Sequence, residues 1–165
     1  MEIIVTVDKH WGIGWKGKPL VQIPADFRFF KEQTAGKVVV MSRKTLESFP
    51  GGKATLGRTN LVLTSSRSFS EAGITIVHSM EELKSELAHY DSKDIYLIGG
   101  ERLYKEFLPV CDVVHATCVD YEYQADAFFE NLDCHDDWVL EEESEEQTYY
   151  NLEYYFRRYK RDKER

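Results

Sequence analysis

Five short apolar segments in the first hundred residues alternate with segments of helical or polar character. They are EIIVTV (2–7), KVVVM (37–41), NLVLT (60–64), ITIVH (74–78) and DIYLIG (94–99). Short runs rich in β-branched residues are typical of strands that are buried on both faces, as in parallel sheets covered by helices. Because parallel strands need long crossover connections, this alternation predicts an α/β fold with a mostly parallel sheet.

The segments between these strands predict about four helices, over 24–34, 43–49, 79–90 and 101–108. Pro24 suits the first turn of its helix, and Ser42 is a candidate N-cap for the second. Ser79 followed by Glu82 predicts a capping box at the start of the third. The stretch 8–23 is rich in Gly, Lys and Pro, and a loop of this length usually forms a lid or a binding loop.

The sequence pattern changes after Pro109. The stretches 112–119, 138–144 and 148–160 lack a helical period and follow one another without predicted helices, as antiparallel strands do. We therefore expect residues 1–165 to form a single α/β domain. Its central mixed, mostly parallel sheet of eight strands would end in an antiparallel C-terminal edge hairpin, with helices on both faces.

Composition limits the classes of function. The chain has 165 residues, 42% of them hydrophobic, and a formal net charge of −8, which argues against a nucleic-acid-binding surface. No apolar run is long enough to cross a membrane or to form a signal peptide. Three cysteines without a CxxC pair indicate a reduced protein. We expect a cytoplasmic monomer that binds no metal.

Asp26 is the most informative single residue. It lies beside Phe27, Phe29 and Phe30 on a predicted apolar helix. A carboxylate partly removed from water could bind a planar ligand whose edge offers two parallel N–H donors. The alternative is a first-turn acid that the helix dipole favours, and the residues alone do not decide between the two.

Several other features indicate an anionic ligand at the carboxyl ends of strands. Gly99-Gly100 follows a strand and precedes a helix, Arg43 and Lys44 follow another, and 64–67 (TSSR) follows a third. Arg58 could clamp a carboxylate in bidentate fashion. Each feature also has an ordinary interpretation, either as a turn or as a solvated surface cation.

Taken together, these segments resemble dihydrofolate reductases over essentially the full chain. The matching stretches are VDKHWGIG (7–14), IPADFRFFK (23–31), VVVMSRKTLES (38–48), GRTNLVLTSS (57–66), IYLIGGERLYKEFLP (95–109) and TCVDYEYQAD (117–126). The resemblance implies NADPH-dependent reduction of 7,8-dihydrofolate to 5,6,7,8-tetrahydrofolate, which supplies one-carbon metabolism. Hydride would pass from the nicotinamide to pterin C6, with protonation at N5.

The resemblance also implies roles for individual residues. Asp26 would bind the 2-amino group and N3 of the pterin, with Thr117 bracing it, and Arg58 would clamp the α-carboxylate of the glutamate tail. The implied catalytic residues are Asp26, Thr117 and Tyr104. The implied substrate site comprises Ile4, Val5, Asp26, Phe27, Phe30, Lys31, Ser48, Phe49, Arg58, Ile98 and Thr117.

The implied NADPH site draws on five segments of the chain. It comprises Thr6, Ile13, Gly14, Lys18, Pro19, Leu20, Ser42, Arg43, Lys44, Thr45, Leu63, Thr64, Ser65, Arg67, Ile98, Gly99, Gly100, Glu101, Arg102, Leu103 and Tyr104. The Gly99–Gly100 peptide would be cis, and that pair with Arg102 and Leu103 would cradle the diphosphate. The 2′-phosphate would be held by Arg43, Lys44, Ser65 and Arg67.

The chain departs from the family pattern at several points. Leu20-Val21 replaces a usual Pro-Trp in the lid, Ser42 replaces a glycine, Thr6 replaces an alanine, and 54–56 (ATL) replaces Pro-Leu-Pro. Two other functions stay open: a related reductase of a pyrimidine or flavin precursor, and a nucleotide-binding module without catalysis. Arg58 discriminates against the first, because only folate offers a glutamate tail.

Overall fold

The computed structural model describes residues 1–162. Its helices are α1 (Pro24–Thr34), α2 (Arg43–Glu47), α3 (Met80–Leu87) and α4 (Glu101–Phe107). Its strands are β1 (Glu2–Val7), β2 (Gly12–Trp15), β3 (Lys18–Pro19), β4 (Val38–Ser42), β5 (Thr59–Leu63), β6 (Thr75–Val77), β7 (Ile95–Leu97), β8 (Val113–Val119), β9 (Ala127–Phe128), β10 (Trp138–Glu143), β11 (Gln147–Tyr149) and β12 (Leu152–Arg161).

The central sheet confirms the predicted mixed architecture. Eight strands lie in the order β10-β12-β8-β1-β7-β4-β5-β6, and β11 pairs with β12 beside this path. Every pairing from β8 to β6 is parallel, whereas β12 pairs antiparallel with β8 and with β10. Crossover segments therefore join the parallel strands, and the C-terminal strands close one edge.

Helices cover both faces of this sheet. Successive side chains of a strand point to opposite faces, so one strand packs against helices on both sides. Ile3, Val5 and Val7 of β1 belong to the larger core cluster, which also contains Leu83 of α3 and Leu103 of α4. On the other face, Ile4 packs in a second cluster with Phe30 of α1 and Leu46 of α2. The alternation within β1 thus assigns α1 and α2 to one face and α3 and α4 to the other.

Two stretches differ from the prediction. The stretch 8–23 contains β2 and β3, which form a small antiparallel sheet with β9. The stretch 148–160 is interrupted by a turn, because Tyr149 pairs directly with Leu152 and Tyr150 has a positive φ of 53°. Asn151 is a residue type that tight hairpin turns favour, and it offered a signal for this break.

The helix caps follow the prediction with one shift. The Ser42 side chain accepts from the backbone N–H of Thr45, and the Ser79 side chain accepts from that of Glu82. The Glu82 carboxylate does not return to Ser79; it accepts from the backbone N–H of His78, at 2.6 Å. The first turn of α3 is therefore closed one residue earlier than a capping box would close it.

The acidic run 141–146 and the basic tail 157–165 predict a pairing of exposed charges across the last hairpin. Arg158 contacts Glu141 at 2.7 Å and Arg157 contacts Glu143 at 2.5 Å, on opposite strands. Residues 163–165 of the basic tail lie outside the described part of the chain. Within the described part, no helix is long and apolar enough to cross a membrane.

Candidate functional site

A cavity of about 1080 Å³ opens where the parallel strands end. Its lining includes Val7 at the end of β1, Ser42 at the end of β4, Leu63 at the end of β5 and Ile98 after β7. Carboxyl ends of parallel strands meet at one edge of a sheet, where ligands of open α/β folds bind. The volume slightly exceeds that of a typical single-ligand pocket, so there is room for two flat molecules side by side.

Asp26 lines this cavity from the first turn of α1. The Thr117 hydroxyl donates to its Oδ1 at 2.7 Å, and the Thr6 hydroxyl donates to its Oδ2. Thr6 and Thr117 are register partners on the adjacent strands β1 and β8, so both hydroxyls reach the carboxylate from the same face of the sheet. The carboxylate therefore has a hydroxyl donor on each oxygen.

Burial raises the pKa of Asp26 above its ordinary value, because removal from water penalises the charged form. The hydrogen bonds from Thr6 and Thr117 act in the opposite direction and offset part of that shift. A carboxyl pKa raised by burial is a common feature of ligand sites.

Three phenylalanines form an apolar wall beside the acid. The ring centroids of Phe27 and Phe30 are 5.8 Å apart, those of Phe30 and Phe49 are 5.5 Å apart, and those of Phe27 and Phe49 are 6.1 Å apart. All three line the cavity. Together with Asp26 they suit a planar heterocycle with apolar faces and one polar edge.

The glycine pair forms another part of the cavity wall. The Gly99–Gly100 peptide is cis, as the resemblance implies. Gly99 has a φ of 121°, and a Cβ there would lie 3.2 Å from both the Thr45 Oγ1 and the Tyr104 Oη. The positive φ and these two tight contacts both favour glycine at position 99.

The Tyr104 hydroxyl is already engaged by the protein. It donates to the carbonyl oxygen of Ile4 at 2.8 Å, and burial together with the charge of Asp26 raises its pKa far above the ordinary value. The phenol thus stays neutral and ties α4 to β1 at the cavity wall. The role of Tyr104 seen in the structure is to position these elements.

The predicted phosphate ligands divide into two groups. Lys18, Lys44 and Arg102 line the cavity, as do Thr64 and Ser65. Arg43 and Arg67 do not line it. The guanidinium of Arg43 lies 3.0 Å from Glu47 and 4.3 Å from the ring centroid of Phe69, since residues i and i+4 of a helix are neighbours.

Arg58 lies outside the cavity wall, next to Phe30. Its Nε donates to the Thr34 hydroxyl at 3.1 Å, its Nη2 donates to the Lys31 carbonyl at 2.9 Å, and its Nη1 donates to the Leu56 carbonyl. A guanidinium has five N–H groups. With three of them bound to described residues, each terminal nitrogen keeps one N–H for a carboxylate.

The other predicted site residues lie as follows. The Lys31 ammonium stands 5.1 Å from the ring centroid of Phe27, outside the cavity wall, and Thr117 lies behind Asp26. The predicted residues that line the cavity are Ile4, Val5, Thr6, Ile13, Gly14, Lys18, Pro19, Leu20, Asp26, Phe27, Phe30, Ser42, Lys44, Thr45, Ser48, Phe49, Leu63, Thr64, Ser65, Ile98, Gly99, Gly100, Glu101, Arg102, Leu103 and Tyr104.

Some lining residues were not predicted from the sequence. They are Val7, Asp8, Gly12, Gly17, Val21, Gln22, Ile23, Pro24, Pro50, His78, Asp126 and Ala127. Asp8 is 6% exposed, and its carboxylate accepts from the backbone N–H groups of His10, Gly12 and Tyr123. The signal for Asp8 was its place directly after a buried strand and before a glycine-containing loop.

The small sheet of β2, β3 and β9 forms the rim of the cavity. It is also bonded to α4. The Asp126 carboxylate accepts from the Lys16 N–H at 3.1 Å, and the Asp126 N–H donates to the Gly14 carbonyl at 2.9 Å. The Glu101 carboxylate accepts from the Phe128 N–H at 2.6 Å. These contacts hold the 12–19 segment beside the glycine pair.

Comparison with known proteins agrees with this geometry. A family model described as dihydrofolate reductase matches residues 1–161. The chain is 37% identical over 128 residues to the dihydrofolate reductase of Enterococcus faecium, covering 76% of this chain and 75% of that one. It is 31% identical over 129 residues to that of Staphylococcus aureus, covering 78% and 77%.

A solved structure is also similar. It is the dihydrofolate reductase from Enterococcus faecalis complexed with NADP(H) and RAB-propyl, with a TM-score of 0.81 and 28% identity, covering 98% of this chain and 95% of that one. The chain belongs to the dihydrofolate reductase family. This confirms the resemblance seen in the sequence, and the chain is an oxidoreductase of that family.

Proposed function

We propose that the chain reduces 7,8-dihydrofolate to 5,6,7,8-tetrahydrofolate with NADPH. The observation that carries the proposal is the Asp26 carboxylate, which lines a cavity of about 1080 Å³ together with three phenylalanines and the Gly99–Gly100 pair. One side of this cavity suits a flat heterocycle with a donor edge, and the other suits a ligand that carries phosphates.

Asp26 binds the pterin by its polar edge. A carboxylate oxygen has two acceptor sites, and on each oxygen of Asp26 a threonine hydroxyl takes one. The remaining site on each oxygen can accept from ring N3 and from the 2-amino group, which are two parallel donors. Phe27, Phe30 and Phe49 contact the faces of the ring and exclude water.

Arg58 binds the glutamate tail. Three of its N–H groups bond to Thr34, Lys31 and Leu56, which fix the plane of the guanidinium. The two that remain, one on each terminal nitrogen, match the two oxygens of a carboxylate. This arrangement favours a folate over a substrate without a carboxylate tail.

The residues of the glycine wall fit NADPH. The wall offers bare backbone at Gly99 and Gly100, and the cations Lys18, Lys44 and Arg102 line the same cavity. Ser42 lines the cavity, but its hydroxyl is engaged as the cap of α2. NADPH supplies the hydride for pterin C6, and N5 receives a proton.

The protein orients the two rings and keeps water away from them. β1 contributes to both halves of the cavity: Ile4 packs with the phenylalanine cluster, and its carbonyl accepts from Tyr104 beside the glycine pair. The 12–19 segment covers the rim. Holding two reactants in a reactive pose inside a dry cavity is the main contribution that a protein makes to hydride transfer.

Turnover tests this function directly. The protein is mixed with NADPH and 7,8-dihydrofolate, and the loss of NADPH absorbance is followed. We expect Asp26→Asn to lower kcat/KM by at least about 100-fold, because the amide cannot accept on both oxygens or support N5 protonation. NADPH binding, measured by fluorescence, serves as the control and should change little. Absence of wild-type turnover, or an unaffected variant, would contradict the proposal.

We also propose that residues 1–165 form one domain that acts as a monomer in the cytoplasm. In support of one domain, the N-terminal strand β1 lies in the middle of the central sheet and the C-terminal strand β12 pairs with β8 beside it. Size-exclusion chromatography with light scattering tests the monomer.

A further inference from the structure

Thr6 contributes a hydroxyl that the family pattern does not require, since alanine is usual at this position. The Thr6 hydroxyl donates to Oδ2 of Asp26, and the Thr117 hydroxyl donates to Oδ1 at 2.7 Å. Both threonines lie at matching register positions on adjacent strands. Thr6 therefore forms, with Thr117, a two-sided clamp on the carboxylate.

We propose that Thr6 is a positioning residue for Asp26: its hydroxyl fixes the plane of the carboxylate and keeps that group an acceptor. The proposal deepens the proposed function, because it concerns the acid that would bind the pterin. With one hydroxyl alone, the carboxylate could rotate about the Cβ–Cγ bond. With a donor on each oxygen, the plane of the carboxylate is fixed, and so is the direction of the free acceptor site on each oxygen.

The hydroxyls of Thr6 and Thr117, rather than charged groups, stabilise the Asp26 carboxylate. Among the described residues, the charge of Asp26 acts on Tyr104 of α4 and on Tyr154 of β12, and burial raises the pKa of both phenols. Arg28 of α1 acts on Tyr154. Strands β1 and β8 contribute Thr6 and Thr117 to the contact with Asp26. Within residues 1–162, the side chains that donate hydrogen bonds to the Asp26 carboxylate are those of Thr6 and Thr117.

Thr6→Val removes the hydroxyl while keeping the shape of the side chain. The variant places a methyl group against Oδ2, so the charged form of Asp26 loses a donor and its protonated form gains. Thr6→Ser restores the hydroxyl without the methyl group. Thr45→Val is a matched control, because Thr45 also lines the cavity but its hydroxyl lies 3.1 Å from the Ser42 hydroxyl.

The experiment is a carboxyl carbon-13 NMR titration of the protein without ligands, with the Asp26 signal assigned by its loss in Asp26→Asn. We expect Thr6→Val to raise the midpoint of the Asp26 titration by about one pH unit. Thr6→Ser and Thr45→Val should leave it near the wild-type value. The backbone amide spectrum verifies the fold of each variant, and Thr6→Ala is the substitute should valine not be accommodated.

An unchanged midpoint in a folded variant that lacks the Thr6 hydroxyl would overturn the proposal. The same would follow if Thr6→Ser shifted the midpoint as far as Thr6→Val. Because the titration uses no substrate, its result is independent of turnover with dihydrofolate. Missing turnover would refute the proposed function alone, and an unmoved midpoint would refute the role of Thr6 alone.

Discussion

At the scale of single residues, Asp26 combines two opposing demands. Its carboxylate must remain available to a ligand, yet the phenylalanines that make the site apolar also remove it from water. The hydroxyls of Thr6 and Thr117 offset part of that cost. A residue placed in this way is expected to favour binding at the expense of stability.

Asp26→Asn should therefore stabilise the protein in a pH-dependent way. Because the pKa of Asp26 is raised in the folded state, its contribution to stability is present at acid pH and is lost as the pH rises through that folded-state pKa. The asparagine variant carries no such charge. We expect its melting temperature to exceed the wild-type value at pH 8 by roughly 2–4 °C, the effect of about 1 kcal/mol in a domain of this size.

The measurement is thermal unfolding by circular dichroism between pH 4 and pH 8. The advantage of the variant should shrink as the wild-type carboxyl becomes protonated. Asp120→Asn is the matched control, since Asp120 is exposed and its side chain contacts the exposed Lys9 at 3.5 Å. A difference between Asp26→Asn and wild type that stays constant across this pH range would refute the burial argument.

The residues themselves allowed Asp26 to be singled out, whereas Thr117 was implied only by the family resemblance and the contact with Thr6 was not predicted. The apolar neighbours of Asp26 are adjacent in the chain, so they are visible as a local pattern. The contact with Thr6 spans 20 residues and that with Thr117 spans 91. The meeting of both hydroxyls at Asp26 depends on the register of β1 against β8, and no local sequence pattern encodes that register.

At the scale of elements, Asp126 helps to hold the rim of the cavity. Its carboxylate accepts from the backbone N–H of Lys16, and its own backbone N–H donates to the Gly14 carbonyl, beside the pairing of β2 with β9. Apart from these contacts, both β3 residues are exposed. A segment with few buried contacts opens locally at a small cost in free energy.

Asp126→Ala should therefore loosen the 12–19 segment without unfolding the protein. Loss of one hydrogen bond of about 1 kcal/mol predicts roughly fivefold faster amide exchange at Lys16 and its neighbours. Hydrogen exchange followed by mass spectrometry measures this, with α3 as the internal reference. Asp120→Ala tests a carboxylate in the same part of the chain that does not contact the segment. Equal exchange in all three proteins would rule out this role for Asp126.

The strands of the central sheet were easier to predict from the sequence than strands β2 and β3 of the small sheet. The strands β1, β4, β5, β6 and β7 of the central sheet are apolar runs, and their bounds deviate from the prediction by only a few residues. β2 and β3 are short and contain glycine, lysine and proline; β3 pairs with β2, and β2 pairs with β9, more than 100 residues away. Since their conformation depends on that distant pairing, the composition of the segment indicated a loop.

At the scale of the whole molecule, the distribution of charge bears on the choice of cofactor. The formal net charge is −8, so the long-range field of the chain repels a polyanion such as NADPH. Attraction must then come from local cations at the cavity. Of the four residues that the sequence indicated for the 2′-phosphate, Lys44 and Ser65 line the cavity, whereas Arg43 and Arg67 do not.

Lys44→Met should therefore reduce the preference for NADPH over NADH. At a concentration 100 times the dissociation constant, a ligand stabilises the folded state by about 2.7 kcal/mol, so binding can be read from the melting temperature. We expect the variant to lose most of the extra stabilisation by NADPH and to keep that by NADH, because only NADPH carries the 2′-phosphate. Methionine keeps the aliphatic stem and removes the charge.

Arg43→Met is the matched control for this experiment. Arg43 is the neighbouring cation, but its guanidinium is paired with Glu47 and lies over Phe69. If Arg43→Met abolished the preference and Lys44→Met preserved it, α2 would have to change its side-chain arrangement when the cofactor binds. The roles assigned to Lys44 and Arg43 would then be wrong, because their side-chain positions in this structure would differ from those in the complex with the cofactor.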